Sequence, residues 1–130
     1  MANPNAELIR SGYEAFARGD VPTVLDILAD DITWHVPGRS PLSGEYKGHE
    51  GVMHFLEKGM ALSGGTLRVD ADEIVADADR VVVLSTVSAE RHAQRWSSPE
   101  VHVWQVENGK AVSFREFQGD QQAEDEFWSA

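Results

Sequence analysis

The hydrophobic period of this chain changes once, at Ser63-Gly64-Gly65. Before that point apolar residues return every three or four positions, and after it they alternate. A 3.6-residue period buries one stripe of a helix and a 2-residue period buries one face of a strand, so helices come first and a sheet follows. The first stripe is Leu8, Gly12, Ala15 and Phe16, opened by Asn3 as a cap with Pro4 in the first turn and ended at Gly19. Asp20 caps a second, short helix that turns Val21, Val24, Leu25 and Leu28 inward. Ala29-Asp30-Asp31 reads as a turn into a short strand at 32–36, and PGRSPLSGEYKG at 37–48 reads as a loop. A third helix at 49–62 carries Val52, Phe55, Leu56, Gly59 and Met60 on one face. Strands are expected at 66–75, 81–90, 100–106 and 110–118, each joined to the next by a hairpin-length loop. Residues 121–128 read as a final helical turn bearing Phe127 and Trp128. The pattern predicts an α+β fold, one curved antiparallel sheet covered by helices, in the order α-α-β-α-β-β-β-β.

The 130 residues fit one domain, 1–130, which buries roughly two-thirds of the surface its unfolded chain exposes. Hydrophobic residues make up 42% and charged ones 25%, which separates the chain from disordered sequences. Its 22 acids against 11 Lys and Arg give a net charge of −11. That excess is the opposite of the basic stripe nucleic-acid binding requires, and it disfavours docking on anionic membranes. Cysteine is absent, so disulfides, thiolate zinc sites and a Cys nucleophile are excluded and a cytoplasmic location is expected. The opening MANPNAELIR lacks the apolar stretch of a signal peptide, and no run approaches membrane-spanning length.

The last hairpin, around QVENGKAV, decides which residues share a face. A two-residue Asn108-Gly109 turn pairs Glu107 with Lys110 and sets His102 opposite Arg115. A three-residue loop with Gly109 as a bulge pairs Val106 with Lys110 and sets His102 opposite Phe114, with Glu116 as its diagonal neighbour. One residue of slip turns every side chain over. The bulged register is preferred, because it gathers His102, Trp104, Val106, Val112, Phe114, Glu116 and Gln118 into one wall of large apolar and a few polar groups.

The strings YEAFARGD at 13–20, LADDITWHVPG at 28–38, PLSGEYKG at 41–48 and VHVWQVENGKAVSFREF at 101–117 resemble the SnoaL-like branch of the nuclear transport factor 2-like superfamily. The resemblance covers nearly the whole chain. It implies a conical barrel, a strongly bent sheet around a helix-lined cavity, commonly paired as a homodimer through the sheet. That scaffold serves ketosteroid isomerases, polyketide cyclases, epoxide hydrolases, dehydratases and non-catalytic binding modules, so function has to come from the site. The isomerase general base falls at Val36, its helix tyrosine at Gly12, one place before Tyr13, and its protonated aspartic acid at His102. The epoxide hydrolase Asp-Arg-Asp positions fall near Ser85, Val87 and Gly119. SnoaL-type cyclases carry a His and, fourteen residues later, an acid; here these are His102 and Glu116, with Glu in place of the family Asp.

A His–carboxylate pair across a hairpin suits acid–base work, because an apolar wall raises the carboxyl's pKa towards neutrality. His102 and Glu116 are therefore the candidate catalytic residues, with Trp104 and Phe114 as the wall. Gln118 and Tyr46 are candidate donors to a substrate oxygen, Tyr46 as a cap on the cavity. Trp34, in the entrance segment, is read as a core residue and a candidate substrate contact, and Tyr13 is assigned to the cavity rim. His35 is expected on the surface, away from Trp34 and Val36. His49 and His54 lie about 140° apart around a helix, no His/Asp/Glu set has metal-ligand spacing, and no metal or other cofactor is expected. Arg91, His92 and Arg95 form a basic cluster that either steers an anion to the cavity or is a solvated loop. The expected partner is a small hydrophobic molecule. The leading reading is a cofactor-independent isomerase, cyclase or dehydratase acting on a carbonyl compound. The alternatives are a non-catalytic ligand carrier and a dimeric adapter, the last needing an exposed apolar patch that the sequence does not offer.

Overall fold

A computed structural model describes residues 3–130. Asn3 caps α1 (Pro4–Ala17) by accepting from the backbone of Asn5 and Ala6, and Asp20 caps α2 (Val21–Asp26) by accepting from Thr23. These caps satisfy backbone donors that a helix start leaves unpaired. Gly12 lets the two helices close up: a Cβ there would stand 2.5 Å from the Ile27 side chain.

The chain continues as β1 (Leu28–Val36), β2 (Gly44–Lys47), α3 (Gly48–Leu62), β3 (Arg68–Asp77), β4 (Arg80–Arg91), β5 (Gln94–Glu107), β6 (Lys110–Gln118) and α4 (Gln121–Ser129). The α+β fold is a curved, unclosed sheet in the order β2-β1-β6-β5-β4-β3, a conical barrel with helices against its inner face. Neighbouring strands are antiparallel except β1 and β6, which run parallel. The expected pure meander therefore becomes a mixed sheet. Within the predicted 37–48 loop, GEYK forms an edge strand on β1. The expected turn at Ala29-Asp30-Asp31 lies inside β1, where the register against β6 shifts between Leu28 and Thr33. β5 begins six residues earlier than the predicted strand, at Gln94. The tail is a nine-residue helix rather than a single turn.

Bulges bend the sheet. Asp72 is the extra residue in β3, between the pairs Ala71–Ser85 and Glu73–Leu84. Val112 is the extra residue in β6, between Gln105–Ser113 and Val106–Ala111. An unpaired residue in one strand increases its local twist and turns it inward. The main core lies beneath, built from Ile9, Leu28, Ile32, Val52, Val81, Val83 and Val106, all at most 1% exposed. A smaller cluster of Leu42, Ala89, Phe127 and Trp128 docks α4. No helix among the described residues is long and apolar enough to cross a membrane.

The hairpin register combines parts of both sequence readings. Asn108 and Gly109, with φ of 52° and 75°, form the two-residue turn that pairs Glu107 with Lys110. The bulge is at Val112 instead of in the loop, where β6 also takes up β1: Ala111 N–H donates to the Ile27 carbonyl. The displaced bulge restores the expected wall with Ala111 in place of Val112, and it sets His102 directly opposite Glu116 and Trp104 opposite Phe114. The preferred pairing of His102 with Phe114 is thus corrected by two residues, which keeps the same face inward.

Candidate functional site

Inward-facing residues of β5 and β6, together with α1, enclose a cavity of about 100 Å³. Its wall is aromatic. Trp34 stacks on Phe114 at 3.9 Å between ring centroids, and Trp104 meets Phe114 edge-on at 4.7 Å. All four tryptophans of the chain, Trp34, Trp96, Trp104 and Trp128, line it. An apolar cavity of ~150 Å³ accepts benzene, so this space holds a group of about single-ring size.

One hydrogen-bonded chain crosses the polar side. Trp104 Nε1 donates to the Tyr13 hydroxyl at 3.0 Å, and that hydroxyl lies 2.6 Å from His102 Nδ1. His102 Nε2 lies 2.8 Å from Glu100 Oε1. Gln118 Nε2 donates to Glu100 Oε2 at 2.6 Å and to Glu116 Oε2 at 2.8 Å. Indole N–H only donates, so the phenol gives its own proton to Nδ1. The imidazole proton then sits on Nε2 and points at Glu100. This assignment satisfies every donor in the chain.

Burial sets the charges. It lowers His102 to about 4, keeping the ring neutral. Desolvation raises Glu100 to about 7 and, with the nearby Glu100 charge, Glu116 to about 8. Tyr13 is raised by burial, so its phenol stays protonated. Glu100 accepts two hydrogen bonds in this chain and Glu116 one, so Glu100 is the member that ionises first. The two carboxyls titrate as a coupled pair carrying about one proton near neutral pH.

Of the residues expected at the site, His102, Glu116, Trp104, Phe114, Trp34 and Tyr13 line the cavity, and Tyr13 stands at its polar centre instead of its rim. Gln118 is displaced from substrate contact to a brace: its Nε2 is spent on the two carboxylates, while its buried Oε1 has no hydrogen-bond partner among the described residues. Tyr46 does not reach the cavity lining; its hydroxyl donates to the Leu42 carbonyl and its ring packs on Phe55. Edge strand β2 turns it that way. Val36 lines the cavity as an apolar residue, where the isomerases place their base. His35 faces Glu45 on the sheet's edge. Arg91 donates to the Leu62 and Phe127 carbonyls and so ties α3 to α4, while Arg95 pairs with Glu90 on the surface. None of Arg91, His92 and Arg95 lines the cavity.

Sequence reasoning missed Glu100 and Glu124. Glu100 was set at the first position of a truncated strand, although the two-residue period through His102 already puts both on one face. Glu124 lies three and four residues before Phe127 and Trp128, on the buried face of α4. The reading that no acids and histidines share metal-ligand spacing is also corrected, because Glu100, His102 and Glu116 bring donor atoms within 4.8 Å of one another. They do so across two strands, where linear spacing is uninformative. A cation on Nε2 requires Nδ1 to keep a proton, which would leave the Tyr13 O–H without its acceptor. The hydrogen bonds present are those of a proton-sharing cluster.

A cavity of this kind, walled by a bent sheet and by residues of all four helices, defines a small-molecule pocket of the conical-barrel class. The chain belongs to the SnoaL-like domain family, whose profile matches residues 9–114. It is 33% identical to Bal32a from a soil-derived mobile gene cassette, with a TM-score of 0.92 over 96% of each chain. It is 28% identical to TerC, whose structure was obtained co-crystallized with polyporic acid, with a TM-score of 0.87 over 98% of this chain and 100% of that one. An uncharacterized protein of Mycobacterium tuberculosis is 28% identical over 124 residues, 95% of each chain.

Proposed function

We propose that this protein is a cofactor-independent enzyme that moves a proton on a small hydrophobic carbonyl compound, by isomerisation, cyclisation or dehydration. The observation that carries the reading is the chain Tyr13–His102–Glu100 beside Glu116 in one apolar cavity. With both carboxyls ionised, Glu116 takes the proton from the carbon next to the carbonyl, the C–H electron pair moves towards the carbonyl oxygen, and Glu100 stays ionised. Glu116 then hands the proton back to the product carbon or to the leaving group. Tyr13 turns its O–H from His102 to the substrate oxygen as negative charge develops there, while Trp104 continues to donate to the phenol. Gln118 holds the two carboxylates in place. The co-crystal of TerC with polyporic acid supports a small-molecule ligand in this family. The absence of cysteine goes with a cytoplasmic location.

Native mass spectrometry of the purified protein, searching for a retained ligand, supplies the substrate. With it, Glu116→Gln is expected to lower kcat by about 10²–10⁴-fold while binding persists. The wild-type kcat/KM should rise with pH as the pair ionises near 7–8, and this limb should vanish in the variant. Undiminished turnover in Glu116→Gln refutes the assignment. Binding with no turnover in the wild type favours the carrier reading, which the aromatic wall also supports.

We also propose a homodimer through the outer face of the sheet. Phe117, Val101 and Leu84 stand side by side across β6, β5 and β4, with Phe117 49% and Leu84 39% exposed. Val103, Val82 and Val75 form the next row. This patch, which the sequence did not reveal, is the kind that marks association. Phe117→Glu should halve the mass seen by sedimentation velocity, and a wild-type monomer at ~100 µM would disprove the dimer.

A further inference from the structure

Glu124 has no task in the mechanism above. It lines the same cavity as Tyr13, His102 and Glu116, presented by α4 from the face that carries Phe127 and Trp128. It is 2% exposed, and its Oε2 has no hydrogen-bond partner among the described residues. Leaving a buried oxygen unpaired costs about 1–3 kcal/mol, and a leucine would fill the space without that cost. Apart from the nearby Gln121 side chain, which favours the ionised form, the fold makes no use of this carboxyl, whereas a bound molecule with an oxygen of its own does. Burial and the neighbouring Glu116 and Glu100 charges raise Glu124 to about 10, so near neutral pH it has one proton to give and lone pairs to accept with. The ionisable groups around the cavity are Glu100, Glu116, Glu124, His102 and Tyr13, with no Lys or Arg, which argues against an anionic ligand.

We propose that Glu124 is a further ligand-binding residue, its Oε2 hydrogen-bonding a carbonyl or hydroxyl oxygen of an uncharged, otherwise hydrophobic ligand. This rests on the small-molecule reading of the cavity and gives the ligand a polar contact in addition to Tyr13.

The test uses cyclohexane, cyclohexanol and cyclohexanone as single-ring probes, read by the fluorescence of the four cavity tryptophans. Glu124→Leu is expected to bind cyclohexanone and cyclohexanol about tenfold more weakly than the wild type, and cyclohexane at least as tightly. Glu124→Gln, which keeps a donor and an acceptor, should retain most of the preference for the oxygenated probes. Without ligand, Glu124→Leu should melt no lower than the wild type. Unchanged preference in Glu124→Leu overturns the proposal, as does failure of the wild type to bind any of the three probes. A lower melting temperature in Glu124→Leu would identify a structural role and overturn it too. The acid–base reading fails separately, through unchanged turnover in Glu116→Gln.

Discussion

The folded protein should melt at a higher temperature at pH 5.5 than at pH 8.5, by roughly 10 °C or more. Three buried carboxyls produce this effect. Glu100, Glu116 and Glu124 titrate at about 7, 8 and 10 in the folded chain, against 4.5 when free. Between those limits the folded state holds protons that the unfolded state has released, so raising the pH favours unfolding. Their contribution is complete below about 4.5 and is lost as pH passes through each folded value. His102 works in the opposite sense: it titrates near 4 when folded and 6.5 when free. The unfolded ring takes up a proton that the folded ring refuses, so its contribution grows from pH 4 to 6.5 and is constant above. Three groups against one give a net loss above pH 5, unopposed beyond 6.5. Self-repulsion in a chain of net charge −11 adds to the loss. Calorimetry across this range is the measurement. A melting temperature that is flat or rises towards pH 8.5 would mean that these carboxyls are solvated.

Replacing His102 with Ala should cost about 3–5 kcal/mol in urea unfolding followed by tryptophan fluorescence. The ring is 4% exposed and packs against Phe114 with centroids 5.1 Å apart, so its removal opens a cavity in the wall. It also strands two partners: the Tyr13 hydroxyl loses its acceptor, and Glu100 Oε1 loses the Nε2 donor. The loss should be larger at pH 8.5, where Glu100 is ionised, than at pH 5.5, where it is protonated. His102→Gln, with one donor and one acceptor, should cost less than half as much. A loss under ~1 kcal/mol for His102→Ala would show that the chain of hydrogen bonds does not hold the core.

The chemistry of the site was partly legible before the fold was known. His102 with Trp104, and Phe114 with Glu116, follow from alternation within each strand, and the preferred bulged register set the four on one face, which they share. Their pairing was not legible, because the extra residue sits at Val112, where β6 meets β1 from the far end of the chain. Gln118 was read as a substrate donor because it shares the wall face, and Tyr46 because it stands in the entrance segment as a cap on the cavity. Folding gives each an internal partner. Glu100 was readable from its spacing to His102, but Glu124 was not: a helix pattern fixes which residues share a side and leaves open what that side covers.

The sequence by itself determined the order of most elements, the caps at Asn3 and Asp20, which residues share a face within β5 and within β6, and the SnoaL-like family. Each of these depends on residues a few positions apart, where sterics and hydrophobic period act directly. The tertiary structure alone decided the parallel join of β1 to β6, the docking of α4 and the proton-sharing contact of Glu100 with His102 and Glu116. Those depend on bulges, on packing between distant segments and on the loss of water around buried carboxyls. The change of period at Ser63-Gly64-Gly65 set which half is helix and which is sheet. Where the two halves met, with Tyr13 of α1 against His102 of β5, made the site.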